Sequence, residues 1–263
     1  MRLTYIGHAT LLIEIGGRRF ITDPNYEPKL GRFLPRVSAP GVALEALPQL
    51  DAILLTHAHA DHLSFKTLDR LPQDIPLFAP PAVAHWIGKR YRHVVPIAPG
   101  TETTVAGVQL SAALATHRGH RYGFDRWRGD ANMYLLDSGA ESCFFAGDTA
   151  LTQGTHDLVA RELWAHGREL DVALLPIGWA PRWKYGFRKG HLTSEDALAL
   201  LERLRARMMI PYHWGTFHHV TSRAHDAIKR LRALIPQHSH GSRVHVIEPG
   251  ESVLVPAVVP LAG

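Results

Sequence analysis

Cysteine is almost absent: Cys143 is the only one in 263 residues. A lone thiol cannot build an intramolecular disulfide framework, and it removes cysteine-rich zinc clusters from consideration. Long apolar runs are missing as well. None approaches the roughly 20 residues needed to cross a bilayer, so no transmembrane segment is expected and peripheral contact is the membrane role left open. The opening stretch MRLTYIGHATLLIEIGG alternates polar and apolar residues and carries Glu14, which reads as a strand and not as a signal peptide. The cytoplasm is therefore the expected location. There is no internal repeat and no low-complexity segment. A sustained Lys/Arg run is also lacking, which makes a nucleic-acid partner unlikely on sequence grounds.

What is present is ordinary for a globular chain: 46% hydrophobic and 20% charged residues. The length suits one large domain with a substantial core, or at most two small ones, and a single domain over residues 1–263 is expected. A formal net charge of +5 leans only slightly toward acidic partners such as phosphates or anionic lipid. The 18 histidines are the real oddity. Several of them (His85, His93, His156, His166, His225, His238 and His240) stand singly in polar surroundings and read as solvated surface.

Apolar runs bounded by Gly, Pro and Asp divide the chain into strands and helices. The first 25 residues read as one hairpin turned at Gly16–Gly17. DAILLT (51–56) is a buried strand by its continuous apolar character. Strands also follow at 108–117, 132–138, 142–149 and 171–178, with RMMIPYHWG and RVHVIEPGESVLV as the closing strands. Helices are predicted at 155–167, 194–207 and 222–234, the second capped by Thr193 or Ser194 with Glu195 and Asp196 in its first turn. Strands in runs with helices in both halves fit an α/β fold of αββα sandwich type, two mixed sheets face to face with helices outside. The pattern alone does not separate this from a doubly wound sheet.

The stretch LLTHAHADHL places His57, His59, Asp61 and His62 directly after a buried strand. Imidazole and carboxylate at such intervals are the donor set of zinc or manganese, each ion needing about three protein ligands and an open position. Two ions about 3.5–4 Å apart usually share a bridging group, so further donors are expected at other strand ends. His117 closes LSAALATH, Asp148 closes CFFAGDT and His213 closes MMIPYH. Singly, Asp148 reads more readily as a helix N-cap and either histidine as a hydrogen-bonded core residue. Together with the histidine loop, seven donors at four strand ends point to a two-metal site.

HxHxDH followed by a distant His, GDT and a final His resembles the metallo-β-lactamase superfamily. The segments IGHATLLIEIGGRRFITDP, LPIGWAPRW, GHLTSEDAL and HWGTF look like the branch holding N-acylphosphatidylethanolamine-hydrolysing phospholipase D and the L-ascorbate-6-phosphate lactonases. The likeness implies one metal on His57, His59 and His117, another on Asp61, His62 and His213, with Asp148 bridging. A hydroxide shared by the ions would be the nucleophile, with Asp61 also orienting it. His191, just before a helix N-terminus, matches a family histidine near the substrate and is assigned to substrate binding or leaving-group protonation. His8 matches a family position without a chemical role of its own.

Two loops combine basic and aromatic residues. Arg118, Arg121, Arg182, Lys184 and Arg188 are suited to a phosphate, and Trp183 to an acyl chain or ring; a solvated loop is the competing reading. His120, three positions after His117, is an alternative ligand to it. The leading expectation is a dinuclear metal hydrolase, most simply with zinc, that cleaves a small-molecule or phospholipid phosphodiester. Opening a sugar-phosphate lactone is the enzyme alternative, and a nucleic-acid-binding module with a structural metal is the non-enzyme one. A homo-oligomer stays open.

Overall fold

The computed structural model describes residues 1–31, 34–121, 130–178, 186–218 and 223–256. Fifteen strands and five α-helices run along these segments. The strands are β1 (Arg2–Gly7), β2 (Thr10–Ile15), β3 (Arg18–Thr22), β4 (Lys29–Leu30), β5 (Leu34–Pro35), β6 (Ala52–Leu54), β7 (Leu77–Ala79) and β8 (Val94–Pro96). They continue as β9 (Glu102–Val105), β10 (Val108–Leu114), β11 (Asn132–Asp137), β12 (Ser142–Phe145), β13 (Val172–Pro176), β14 (Met208–Tyr212) and β15 (Ser252–Leu254). The helices are α1 (Phe65–Leu68), α2 (Pro81–Ile87), α3 (Asp157–Glu162), α4 (Ser194–Leu204) and α5 (Asp226–Leu234).

Two mixed sheets carry the fold. One has seven strands in the order β15-β1-β2-β3-β6-β7-β8, and the other has six in the order β14-β13-β12-β11-β10-β9. The period-2 alternation of strand side chains explains how they pack. In the first sheet Leu11, Ile13, Phe20 and Leu54 face the second sheet, where they meet Leu110, Tyr134, Leu136 and Phe145 in one core. Their neighbours Leu12, Ile21, Ile53 and Leu55 face the other way, onto Leu68 of α1 and Val83 and Ile87 of α2. Strands buried on both faces must be apolar at every position, which is why β6 reads as a continuous run. On the far side of the second sheet α4 buries Leu198 and Leu201, and α5 buries Ile228 and Leu231. This is the αββα sandwich expected from the sequence.

Three details differ from the sequence reading. The first arm of the expected hairpin is itself two antiparallel strands, β1 and β2, because the chain reverses at Gly7–His8 with φ of 140° and 56°. The segment from Arg243 onward gives only a bridge at Val244 and the short β15, since Pro249 and Gly250 interrupt it. The edge strands β8 and β9 went unmarked. Among the described residues no helix is long and apolar enough to cross a membrane.

Candidate metal centre

The carboxyl ends of strands from both sheets meet at one edge of the sandwich. From the first sheet β1 delivers His8, β3 delivers Asp23, and β6 leads into the loop with His57, His59, Asp61 and His62. From the second, β10 leads to His117, β12 to Asp148 and β14 to His213. Tight backbone makes this convergence possible. Gly147 sits at φ +56°, and a Cβ there would fall 2.8 Å from Thr56 Cγ2 and 2.9 Å from Asn132 O. At Gly119 a Cβ would come within 2.4 Å of Asp130 O and 2.9 Å of the His57 Cβ. Both positions are therefore closed to any larger residue, so the loop holding Asp148 and that following His117 can press against the histidine loop.

The structure brings all seven expected donors together in two adjoining groups. In the first, His59 Nδ1 lies 3.0 Å from His57 Nε2 and 3.1 Å from His117 Nε2. In the second, His62 Nε2 and His213 Nε2 are 3.3 Å apart, and Asp61 Oδ2 is 3.6 Å from His213 Nε2. Asp148 lies between the groups: its Oδ2 is 3.3 Å from His62 Nε2 and 3.9 Å from His57 Nε2, while its Oδ1 is 3.4 Å from His213 Nε2. One potential ligand atom from each of His57, His59, His117 and Asp148 falls within 4.8 Å of the others, and the same holds for His8, Asp61, His62 and His213. His117, and not His120, stands in the first group. His120 packs its ring 6.1 Å from that of His59.

The hydrogen bonds at the back of the histidines reveal what the front is for. His117 Nδ1 faces the Gly190 carbonyl at 2.7 Å, and a carbonyl only accepts, so Nδ1 carries the hydrogen. His62 Nδ1 donates in the same way to Asp23 Oδ2 at 2.7 Å. His57 Nδ1 donates to the Thr56 hydroxyl at 2.9 Å, which passes its own hydrogen to Asp23 Oδ2 at 2.6 Å. In each ring Nε2 is consequently the nitrogen turned inward, the atom offered to a metal. The inward nitrogens and the Asp148 oxygens stand 3.0–3.4 Å apart, close enough for one ion to reach several of them. The separations also approximate the edge of a tetrahedron of ligands at about 2.0–2.1 Å from a metal, which is about 3.3 Å. The donor set therefore fits divalent ions.

The electrostatics differ between the two groups. Burial, reinforced by its histidine neighbours, pushes His57 well below its ordinary value, and burial pushes His117 down to about 3. Both are held as neutral donors. Burial alone would raise Asp148, but the charges of His213 and His62 outweigh it and keep the carboxyl ionised far below the usual range. Burial opposes protonation of His62 too, yet Asp148, Asp61 and Asp23 raise it well above 6.5, so in the metal-free chain its Nε2 holds a proton toward Asp148 that a bound ion would displace.

Sequence reasoning missed Asp23 and Thr56, which orient two of the histidines, and gave His8 no task. His8 Nε2 lies 3.0 Å from Asp61 Oδ2. His191 borders the site: its Nε2 is 3.6 Å from Asp148 Oδ2, its ring meets His117 edge-on at 4.8 Å, and its Nδ1 faces the Phe187 carbonyl at 3.3 Å. Arg121 donates through Nη1 to the carbonyls of Leu63 (2.9 Å) and Ala58 (3.4 Å), with its guanidinium over Phe65 and Trp86, and so braces the histidine loop. Arg118 is exposed. Arg188 reaches the Thr193 hydroxyl and Asp196 at the start of α4. Arg182, Trp183 and Lys184 lie outside the described residues.

Comparison with known proteins gives a consistent picture. N-acyl-phosphatidylethanolamine-hydrolyzing phospholipase D 1 of Caenorhabditis elegans is 28% identical over 241 residues, covering 81% of this chain but only 64% of its own length. A UPF0173 metal-dependent hydrolase of Methanoculleus marisnigri is 28% identical over 257 residues, with 97% of each chain covered. The crystal structure of a possible metal-dependent hydrolase from Veillonella parvula superposes with a TM-score of 0.78 at 22% identity, over 96% of this chain and 98% of that one, which is a likeness of fold. A profile of the beta-lactamase superfamily domain matches residues 18–214. With most of its length inside that match and its strands arranged as the fold requires, the chain belongs to the metallo-β-lactamase superfamily.

Proposed function

We propose that the chain is a hydrolase dependent on two divalent ions, and that its bond of choice is a phosphodiester. The observation that carries the reading is the set of inward-facing Nε2 atoms of His57, His62 and His117 around the shared Asp148. His57, His59 and His117 would hold one ion, Asp61, His62 and His213 the other, with Asp148 between them. Zinc suits so nitrogen-rich a set, and manganese is the alternative. Such ions, when bound, make a water molecule acidic enough to attack at neutral pH and polarise the oxygen of the scissile group.

The remaining tasks fall to side chains. Asp61 is half-buried at the edge of its group, where its carboxylate can orient the attacking water as well as ligate. With Nδ1–H engaged by Phe187 O, the Nε2 of His191 is an acceptor that takes up a proton during attack and returns it to the leaving oxygen. Its side chain is 32% exposed, so a substrate can reach it. The choice of a phosphodiester draws on the sequence likeness to the phospholipase D relative; lactone opening is the competing outcome.

The test joins metal content with turnover. Mass spectrometry of purified protein should find two equivalents per chain, reduced in Asp148→Ala and His57→Ala along with hydrolysis of bis(p-nitrophenyl) phosphate. Two metals with turnover of lactones alone would move the assignment to a lactonase. One equivalent or none, unaltered by these substitutions under metal-replete conditions, would reject the ligand set.

A further inference from the structure

We infer that His8 is a positioning residue for the second half of the metal centre, fixing both Asp61 and His213 in the arrangement that holds an ion. The inference rests on the proposed function above and concerns a residue to which that function gives no part.

His8 sits at the reversal between β1 and β2 and is only 6% exposed. It makes three separate contacts with the second group. Its Nε2 lies 3.0 Å from Asp61 Oδ2, and since an ionised carboxylate only accepts, Nε2 is the donor. Its backbone carbonyl accepts the His213 N–H at 2.9 Å. Its ring lies over the His213 ring, with centroids 4.0 Å apart and planes inclined at 37°. Asp61 comes from the loop after β6 and His213 from the end of β14, so His8 joins ligands supplied by opposite sheets.

Two further observations say that this placement is imposed and not incidental. His8 occupies the left-handed region at φ +56°, and so does His213 at φ +70°, an uncommon conformation for residues other than glycine. The bond from the His213 N–H to the His8 carbonyl is made with both residues in that conformation. The other ring nitrogen, Nδ1, is buried without a hydrogen-bond partner among the described residues. The ring's hydrogen bond thus goes to Asp61.

His8 is not itself needed as a ligand. Asp148 already offers one oxygen to His62 and the other to His213, at 3.3 and 3.4 Å, and the His8 Nε2 hydrogen is spent on Asp61. Hydrogen-bonded partners of this kind set the orientation of ligating carboxylates, and their loss typically weakens metal affinity by about 10–100-fold.

Two substitutions separate this task from a structural one. Asparagine tolerates the left-handed backbone, but its amide reaches only to where Nδ1 lies, so His8→Asn keeps the turn and loses the Asp61 bond. Glutamine extends its amide nitrogen to where Nε2 lies, so His8→Gln restores the donor. Zinc affinities are read by competition with a chromophoric chelator, and thermal unfolding in excess chelator monitors the fold. We expect His8→Asn to weaken one of the two zinc equivalents by about 10–100-fold, leave the other as in wild type and unfold in chelator near the wild-type temperature, and His8→Gln to recover most of the loss. Wild-type affinity for both equivalents in His8→Asn would overturn the inference. Equal loss in His8→Gln and His8→Asn would overturn it too, making the imidazole itself a ligand or a packing element. A wild-type chain that takes up no zinc would overturn the proposed function together with this inference, an outcome distinct from normal zinc uptake that ignores His8.

Discussion

At Asp23 one buried carboxylate answers three donors: the Thr56 N–H at 2.7 Å, the Thr56 hydroxyl at 2.6 Å and His62 Nδ1–H at 2.7 Å. Replacing it with asparagine leaves one acceptor and turns an amide N–H toward a donor. The Asp23→Asn chain should lose about 10–100-fold in metal affinity, measured by chelator competition, because His57 and His62 lose their fixed tautomers together. Wild-type affinity would show that the rings are held by packing alone. The difference between what the sequence disclosed and what it hid is clearest among these residues. His57, His59 and His62 stood out because three imidazoles after an apolar strand have few other uses, and His117, Asp148 and His213 followed from the same logic of strand ends. Asp23 ends a strand as many aspartates do, and nothing within a few positions marks its partners. The bond between His8 and Asp61 spans 53 residues, so no local spacing encodes it.

Among the elements, the central strands were readable because burial on both faces demands unbroken apolar sequence, as β6, β12 and β13 show. The edge strand β9 was not, since ETTV keeps three of its four residues at least partly in solvent and resembles a loop. The β1–β2 reversal was hidden for a different reason: it turns on backbone conformation at Gly7 and His8, with no Asn-Gly or Gly-Gly pair to announce it. The start of α4 was plain. Thr193 accepts from the Asp196 N–H, and the Asp196 carboxylate accepts from the Thr193 N–H at 3.0 Å, a reciprocal capping box. Thr193→Ala should cost about 1 kcal/mol, a fall of about 2–4 °C in the unfolding midpoint, while Thr193→Ser should restore most of it. A calorimetric scan in which the alanine chain melts like wild type would remove the cap from the accounts of α4.

For the molecule as a whole, the site gathers charge-sensitive groups from both sheets, and this makes the metal-free chain sensitive to acid. Burial, with help from His213, pushes His8 down to about 3, and burial does the same for His117. Both ionise near 6.5 when unfolded. Between those limits the unfolded chain binds more protons, so folding stability falls as pH drops below about 6.5, each such group withdrawing about 1.4 kcal/mol per pH unit. His62 and His213, raised by Asp148, do not offset this: below 6.5 they are protonated in both states, and their contribution is lost only as pH rises through their elevated values. In excess chelator the unfolding midpoint should therefore fall steadily from pH 6.5 to 5. A midpoint that holds or rises over that range would mean the histidines take up protons without unfolding.

The separation of the donors along the chain also fixes an order in time. His62 and His213 stand 3.3 Å apart in space but 151 residues apart in sequence. A ribosome delivers the histidine loop early and His213 only after every other strand of the second sheet has been made. The complete pocket cannot exist before His213 has been made, so an ion that needs both halves is bound only by a chain already past that point, under whatever supply the cell offers at that moment.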